Sequence, residues 1–307
     1  MKEIVSSDIL FEQYSKPRNY IYYNCTKNIY KNYIGSIWNS EDTIGHLHIQ
    51  KTAGNSIATM AGYYCCDNEY TPFCSKFKTR APTDENCKSL ASKCNFHPHL
   101  TELYDCLSNQ KYDPIIFIGI FRNPIDRMIS EFYHLNSSAS LIHSLWDIPN
   151  EIMVKMAKNE MPIEEFMLLP DLFTNRQSRV LLDSVWEYNK GRFEFQNTYF
   201  NGSNLDLEND LNTNPIYIKM LEEIINSQFL WVGTTDNNLW NNSIALFNKK
   251  FNVALDIIPK RNLKSPEDPN EVSQKVRDII AKRNVLDMKL MELIYERIEK
   301  EIKLLLL

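Results

Sequence analysis

The chain has 307 residues, of which 43% are hydrophobic and 24% are charged, and its formal net charge is −5 at pH 7. It is long enough to bury a full core, as one large α/β domain or two small ones. The acidic balance argues against a nucleic-acid-binding protein, whose surface is usually basic overall, but a local basic patch could still hold an anionic ligand. No window approaches the ~20 apolar residues of a membrane span, and residues 1–20 are polar and show no apolar core of a targeting segment.

Residues 1–42 are rich in Tyr and Asn without a clean period, and we predict an irregular N-terminal arm that covers the core. The remainder, residues 43–307, is predicted to form one domain. It starts with a β-branched apolar run over residues 44–49, typical of a strand, and residues 57–61 follow as the first turns of a helix.

A turn of small residues carrying a Lys joins this strand to this helix. Backbone N–H groups, a helix N-terminus and a Lys are the groups that hold phosphate in many proteins. The turn is not the Walker sequence, because Lys51 precedes Gly54. The predicted phosphate-binding residues are His48, Ile49, Gln50, Lys51, Thr52, Ala53, Gly54, Asn55 and Ser56.

The next segment is a polar, cysteine-bearing excursion over residues 65–95. No C-x-x-C pair supports a zinc site, so we predict a local disulfide cluster, with Cys25 as the odd cysteine or a distant partner. Disulfides imply a secretory lumen. Sequons at Asn24, Asn136, Asn201 and Asn241 fit that compartment. The clustered cysteines are Cys65, Cys66, Cys74, Cys87, Cys94 and Cys106.

The rest of the chain alternates strands and helices. Residues 114–121 form an uninterrupted apolar run that predicts a strand buried on both faces of a parallel sheet. Pro124 then suits the first turn of a helix. A short strand is predicted at residues 229–233, and the pattern as a whole indicates an α/β fold with a central parallel sheet flanked by helices. Further helices are predicted at residues 101–107, 151–158, 163–169, 176–183, 216–226, 239–251 and 271–306.

A second strand-to-helix turn carries Arg122, with Ser130 two turns along its helix. Ligands of parallel sheets sit outside the carboxyl ends of the strands, so both turns are placed to face one ligand. A nucleotide with two separate phosphate groups would suit them, since Arg matches phosphate through its forked donors. Taken alone, Arg122 would be read as a surface residue and Ser130 as a solvated one; together with the Lys51 turn they favour a ligand site.

The segments H-I-Q-K-T-A-G-N-S and F-R-N-P-I-D-R-M-I-S-E resemble the two cofactor motifs of the Golgi carbohydrate sulfotransferases. Within that superfamily the chain most resembles the heparan sulfate 6-O-sulfotransferases, over about residues 44–299. Gln50 points there, because the related 2-O-sulfotransferases usually have Pro. Other shared motifs are F-H at 96–97, T-E-L at 101–103 with Cys106, S-E-F at 130–132 with His134, E-F-M at 165–167, N-R-Q at 175–177 and L-D-M-K-L at 286–290.

The resemblance implies a P-loop-like sulfotransferase core and an enzyme that uses 3′-phosphoadenylyl sulfate (PAPS) as co-substrate, with no metal. The sulfuryl group would pass to the 6-O position of glucosamine in heparan sulfate, or, alternatively, to a 2-O or another carbohydrate hydroxyl. Lys51 would offset charge on the leaving phosphate, and residues 52–56 would cradle the 5′-phosphate. Arg122 and Ser130 would bind the 3′-phosphate.

His97 matches the family's catalytic base, which takes the proton of the acceptor hydroxyl. Without the resemblance, a hydrogen-bonded structural His would be preferred, and His99 is a nearby competitor. Asn262 and Lys264 occupy the place of the family's late cofactor loop, where the match is poor.

A polyanionic glycan needs cations in its site. Lys76, Lys78 and Arg80 alternate along an extended segment and would share one side of it, although a solvated charge run explains them nearly as well. His134 matches a substrate-contacting His of the family, whereas Leu141 stands where the family carries Trp. The predicted acceptor-binding residues are Lys76, Lys78, His97 and His134.

The predicted partner is a heparan-like glycan in the Golgi or secretory lumen. Neither nucleic acid nor a membrane is expected to bind, except through a membrane segment not visible in this sequence. One rival is a P-loop kinase or nucleotide hydrolase, but the Lys order is wrong and no acidic Walker-B-like strand end is visible. A second rival is a glycan-binding module that has lost catalysis; the presence of Lys51, His97, Arg122 and Ser130 argues against it.

Overall fold

A central parallel β-sheet organises the described part of the chain. The computed structural model describes residues 33–49, 52–67, 71–78, 100–111, 114–142, 154–156, 158, 160–169, 174–182, 212–255 and 272–306. Four strands pair in parallel in the order β2-β1-β3-β4. They are β1 (Thr43–Leu47), β2 (Phe77–Lys78), β3 (Ile115–Phe121) and β4 (Phe229–Thr234).

Every residue of the four strands is buried. This is the environment predicted from the uninterrupted apolar runs, because a parallel sheet is covered by helices on both faces. The predicted strands β1, β3 and β4 are confirmed. The prediction of an extended segment from Lys76 onward was wrong for Lys76, which is the last residue of a short helix, so Lys76 and Lys78 do not alternate along one strand. The edge strand β2 pairs through Phe77 with Ile44 and through Lys78 with Gly45.

Helices flank this sheet, which confirms the predicted α/β fold with a central parallel sheet. The predicted helices in the described ranges are present, and residues 154–156 are the described helical part of the one predicted at 151–158. The helix α2 (Pro72–Lys76) was not predicted. The other helices are α1 (Gly54–Asp67), α3 (Leu100–Asn109), α4 (Pro124–Ile142), α5 (Ile163–Met167), α6 (residues 176–182), α7 (Pro215–Gln228), α8 (Asn237–Phe251), α9 (Gln274–Arg283) and α10 (Val285–Leu305). None of the helices in these ranges is long and apolar enough to cross a membrane.

The helical stretch predicted at 271–306 was wrong in one respect: it is two helices, divided at Asn284. The Asn284 side-chain N–H donates to the carbonyl of Ile280 at 2.8 Å, and its side-chain oxygen accepts a bond from the N–H of Asn175 at 2.8 Å. Asn side chains compete with helical hydrogen bonding in this way. The break therefore arises from a contact with a residue far away in sequence.

A buried ionic cluster joins β4 to the helices behind it. The Lys250 ammonium lies 2.9 Å from the Glu301 carboxylate, and both side chains are fully buried. Arg297 donates to the carbonyl of Leu230 at 3.2 Å and pairs with Glu301 at 3.4 Å. Lys250 also donates to the carbonyl of Ser36 at 2.9 Å. Removing one partner of such a cluster leaves an uncompensated buried charge, so the cluster fixes α8 and α10 against the sheet.

The disulfide prediction is confirmed for one pair and for the bonded state of another cysteine. Cys65, near the end of α1, is bonded to Cys74 in α2, and Cys106 is also disulfide-bonded. The bond tethers the helix that follows the turn predicted to bind phosphate. Cys25, Cys87, Cys94, the side chain of Cys66 and most of the predicted arm, residues 1–32, lie outside the described residues.

His46 is a titratable group inside this core. Its ring is only 3% exposed and stacks on His48 at 5.8 Å and on Phe77 at 6.1 Å between ring centroids. Burial and, after it, the charge of the neighbouring His48 lower the pKa of His46 to about 3. The folded protein therefore holds His46 neutral at pH values where the unfolded chain protonates it.

We predict that this burial makes the protein sensitive to acid. Its contribution to stability is fully present above the unfolded pKa of about 6.5 and is lost as the pH falls toward 3, by up to about 1.4 kcal/mol per pH unit. Chemical unfolding of the wild type and of His46→Phe across this range should show the wild type losing stability more steeply. Parallel curves for the two proteins would contradict the prediction.

Candidate functional site

Three strand ends meet at one edge of the sheet. Leu47 at the end of β1 pairs with Gly119 in β3, and Phe121 at the end of β3 pairs with Thr234 at the end of β4. Because the strands are parallel neighbours, the segments that leave them lie side by side at their carboxyl ends, where ligands of open α/β sheets bind. The two turns predicted to face one ligand thus follow adjacent strands.

The first turn leaves β1 through a left-handed residue. Ala53 has φ of +63°, which costs about 1–2 kcal/mol for a residue other than glycine. The Thr52 hydroxyl donates to the carbonyl of Ile49 at 2.9 Å, and the Ser56 N–H donates to the carbonyl of Ala53 at 2.9 Å. Helix α1 begins at Gly54 immediately afterwards. A tight turn that opens directly onto a helix N-terminus presents backbone N–H groups to an anion.

Several side chains of this turn are buried and face away from solvent. Ile49 is 1% exposed, Thr52 is fully buried, and His48 stacks on His46. A ligand would therefore meet Ile49 and Thr52 through their backbone. Ser56 is half-buried. Gln50, Lys51 and the side chain of Asn55 lie outside the described residues, and their roles stay predictions.

The second turn leaves β3 at Arg122. The Asn123 side-chain oxygen accepts a hydrogen bond from the N–H of Ile125 at 2.9 Å, and Pro124 is the first residue of α4, as its fixed φ favours. Ser130 follows on the same helix and is half-buried, as is Arg122. Asn123 and Pro124 thus start helix α4 directly after Arg122 in the sequence.

Acidic neighbours surround Arg122. Burial lowers the pKa of Arg122, while the charges of Asp126 and Asp236 raise it. A guanidinium stays protonated in proteins, so the turn carries a permanent, partly desolvated positive charge at the edge of the sheet. Such a charge interacts more strongly with a phosphate than a fully solvated one does.

The segment that follows the third strand end contains Asp236, which the sequence analysis did not single out. The Tyr295 hydroxyl of α10 donates a hydrogen bond to the Asp236 carboxylate. Burial and this bond raise the pKa of Tyr295 well above its usual range. The N–H of Thr235 donates to the carbonyl of Phe121 at 3.2 Å, which fixes the segment beside Arg122. A polar T-T-D run straight after a short buried strand was the available signal.

Gln177 was noted only as part of a motif, yet it contacts Arg122 directly. Its side-chain oxygen accepts from the Arg122 N–H at 2.9 Å, and its side-chain N–H donates to the Arg122 carbonyl at 2.8 Å. The residue is fully buried. Nothing in the local sequence indicates this contact, since 55 residues separate the partners.

The predicted acceptor-binding residues are spread over the fold. The Lys76 ammonium donates to the carbonyl of Glu41 at 2.9 Å, beside the amino-terminal end of β1 and thus at the opposite end of the sheet from the turns. Lys78 is buried in β2, and burial followed by the charge of Lys76 lowers its pKa. His134 lies half-buried on α4, one turn beyond Ser130. Leu141 lies near the end of α4, and its side chain is outside the described residues, as are Arg80, His97, His99, Asn262 and Lys264.

The sequence model of the sulfotransferase family matches residues 36–304, which include all four strands and both turns. No curated protein matches the chain. The match extends over most of the chain and agrees with the α/β fold and its central parallel sheet. The chain belongs to the sulfotransferase family.

Proposed function

We propose that this protein is a carbohydrate sulfotransferase that moves a sulfuryl group from PAPS to the 6-O position of glucosamine in a heparan-like glycan. One observation carries the proposal: the Ala53 turn and Arg122 follow adjacent parallel strands of a chain that belongs to the sulfotransferase family. The choice of glycan and of position rests on the shared sequence motifs.

The described residues fit a nucleotide that carries phosphate at two positions. The Ala53 turn and the N-terminus of α1 suit the 5′-phosphosulfate, with Lys51 beside it. Arg122 and Ser130 suit the 3′-phosphate, which distinguishes this donor from ATP. The left-handed Ala53 supports this assignment, because strained backbone of this kind collects at ligand sites. Asn262 and Lys264 are proposed to add contacts from the late loop.

When bound, the donor supplies an activated sulfuryl group whose leaving group is a phosphate. His97 takes the proton from the acceptor hydroxyl as the new S–O bond forms and the bond between sulfur and the phosphate oxygen breaks. Lys51 donates to the oxygens that gain negative charge and so lowers the barrier. The remaining residues of the first turn, His48 to Ser56, hold the donor in line for this attack.

The acceptor side of the proposal uses cations and the α4 helix. His134 lies one helical turn beyond Ser130 and is proposed to contact the glycan. Lys78 is proposed to contact the glycan as well. Lys76 lies at the opposite end of the sheet from the turns, so it would contact only a glycan long enough to extend that far. The proposed compartment is the Golgi or secretory lumen, which the Cys65–Cys74 disulfide supports.

Two rivals make different predictions. A P-loop kinase or hydrolase would prefer ATP and would need acidic Mg²⁺ ligands. Asp236 is an acid at a strand end, but its carboxylate accepts from Tyr295 and attracts Arg122, which gives it a structural role in this protein. A glycan-binding module without catalysis would bind the acceptor but would not depend on His97.

We predict that the protein binds adenosine 3′,5′-bisphosphate far more tightly than ATP. Arg122→Met should lower the affinity for the bisphosphate by about 10–100-fold, because a charge-assisted bond to phosphate is lost. Isothermal titration calorimetry measures both. Lys249→Met, which removes an exposed cation on α8, is the matched control and should leave affinity unchanged. Equal affinities for the two nucleotides in the wild type would refute the donor assignment.

We also predict that His97→Ala lowers the rate of sulfation of desulfated heparan by about 10²–10⁴-fold, which is the usual contribution of a positioned base. Affinity for adenosine 3′,5′-bisphosphate should not change. Transfer from labelled PAPS measures the rate, and His99→Ala, which removes the neighbouring imidazole, serves as the control. If His97→Ala retained the wild-type rate, or His99→Ala lost it, the assignment of the base would be wrong.

A further inference from the structure

We infer that Gln177 is a positioning residue that sets the 3′-phosphate site by holding the main chain of Arg122. The inference rests on the proposed function, since it assumes that Arg122 meets the 3′-phosphate of the donor. The inference adds one residue and one interaction to the site: the buried side chain of Gln177 links α6 to the end of β3.

The Gln177 side chain bonds to the main chain of Arg122 as a neighbouring strand would. Gln177 accepts from the N–H of Arg122 at 2.9 Å and donates to its carbonyl at 2.8 Å, so one side chain satisfies both backbone groups of one residue. Arg122 is the first residue beyond β3, whose last pairing is Phe121 with Thr234. Gln177 therefore continues the hydrogen bonding of β3 by one residue and fixes the point from which the Arg122 side chain leaves.

Gln177 is itself fixed by helix α10. The Asp287 carboxylate, which is fully buried, accepts from the N–H of Gln177 at 3.2 Å and from the N–H of Ser178 at 2.7 Å. A carboxylate on the first N–H groups of a helix is the favoured cap, because it meets unpaired donors and the positive end of the helix dipole. The first turn of α6 is thus bonded to the first turn of α10.

Asn175, the residue before helix α6, belongs to the same hydrogen-bond network. Asn175 has φ of +46°, a left-handed conformation that Asn tolerates better than most residues. Its side-chain oxygen accepts from the N–H of Asp287 at 3.0 Å, and its own N–H donates to Asn284 at 2.8 Å. The break between α9 and α10 therefore serves to hold the N-R-Q turn, residues 175–177.

The same turn also contacts the residue beside Ser130. Arg176 pairs with the Glu131 carboxylate at 3.4 Å, and Glu131, which is fully buried, also pairs with Arg127. Neighbouring residues of one turn thus hold Arg122 through Gln177 and the helix around Ser130 through Arg176. The N-R-Q turn sets the separation of the two groups proposed to bind the 3′-phosphate, and errors of about 1 Å in such placement are costly.

A purely structural role for Gln177 would give a different result. A buried residue that only stabilises the fold would, when changed, lower the melting temperature and weaken every ligand of the site alike. A residue that positions Arg122 weakens the part of the affinity that comes from the 3′-phosphate. The readout is therefore a ratio, the dissociation constant of adenosine 5′-phosphate divided by that of adenosine 3′,5′-bisphosphate.

The experiment compares Gln177→Glu with the wild type. The substituted carboxylate keeps the size of the side chain and an acceptor for the Arg122 N–H, but it offers no donor to the Arg122 carbonyl. We expect the ratio to fall by about tenfold, the effect of losing one well-placed bond to a charged group. Gln177→Met, which adds no charge, should act in the same direction. Gln228→Glu is the matched control, because Gln228 is a buried Gln at the opposite end of the sheet, next to the start of β4.

Each outcome decides a different claim. If the wild-type ratio is near one, the proposed function fails. If the wild type prefers the bisphosphate and both Gln177 variants keep its ratio, the positioning role is overturned and the proposed function stands. If neither Gln177 variant folds while Gln228→Glu does, Gln177 is structural, and the inference is likewise overturned.

Discussion

The pairing of β1 with β3 is the constraint on which the site depends. Five residue pairs, from Thr43 with Ile115 to Leu47 with Gly119, set the two strands side by side and in parallel. Because both strands point the same way, the Ala53 turn and the Arg122 turn must leave the sheet at one edge. A change of register would move one turn along the sheet and separate the two groups that are proposed to bind the phosphates.

Buried polar contacts then fix the positions of the residues that the strands bring close together. Asp287 and Asn284 lie about 110 residues beyond the turn that they hold, at separations of 109 and 110 in sequence. Through Gln177 this network restrains Arg122, and through Glu131 it restrains the helix that carries Ser130. A buried hydrogen-bond network of this kind restrains its members, and the loss of one partner leaves costly buried polar groups. Such restraint suits the proposed role of Arg122 and Ser130, which is to hold a phosphate without rearranging.

The sequence predicted the parts of the fold that depend on local patterns. Buried strands such as residues 115–121 reveal themselves by apolar runs, and Pro124 and the small residues of the Ala53 turn mark where strands give way to helices. The edge strand β2 is only two residues long, too short for any pattern. Gln177 and the break at Asn284 could not be predicted for another reason: each is defined by a partner far away in sequence, and a buried Gln looks like an exposed one until the chain is folded.

The measurement that tests the account most directly is transfer of labelled sulfate to a panel of desulfated glycans, followed by disaccharide analysis of the product. Labelled PAPS is compared with labelled adenosine 5′-phosphosulfate, which carries the same sulfuryl group but no 3′-phosphate. The account predicts label on the 6-O position of glucosamine in heparan, from PAPS and far less from the other donor. Equal transfer from both donors, or no transfer to any glycan, would contradict it.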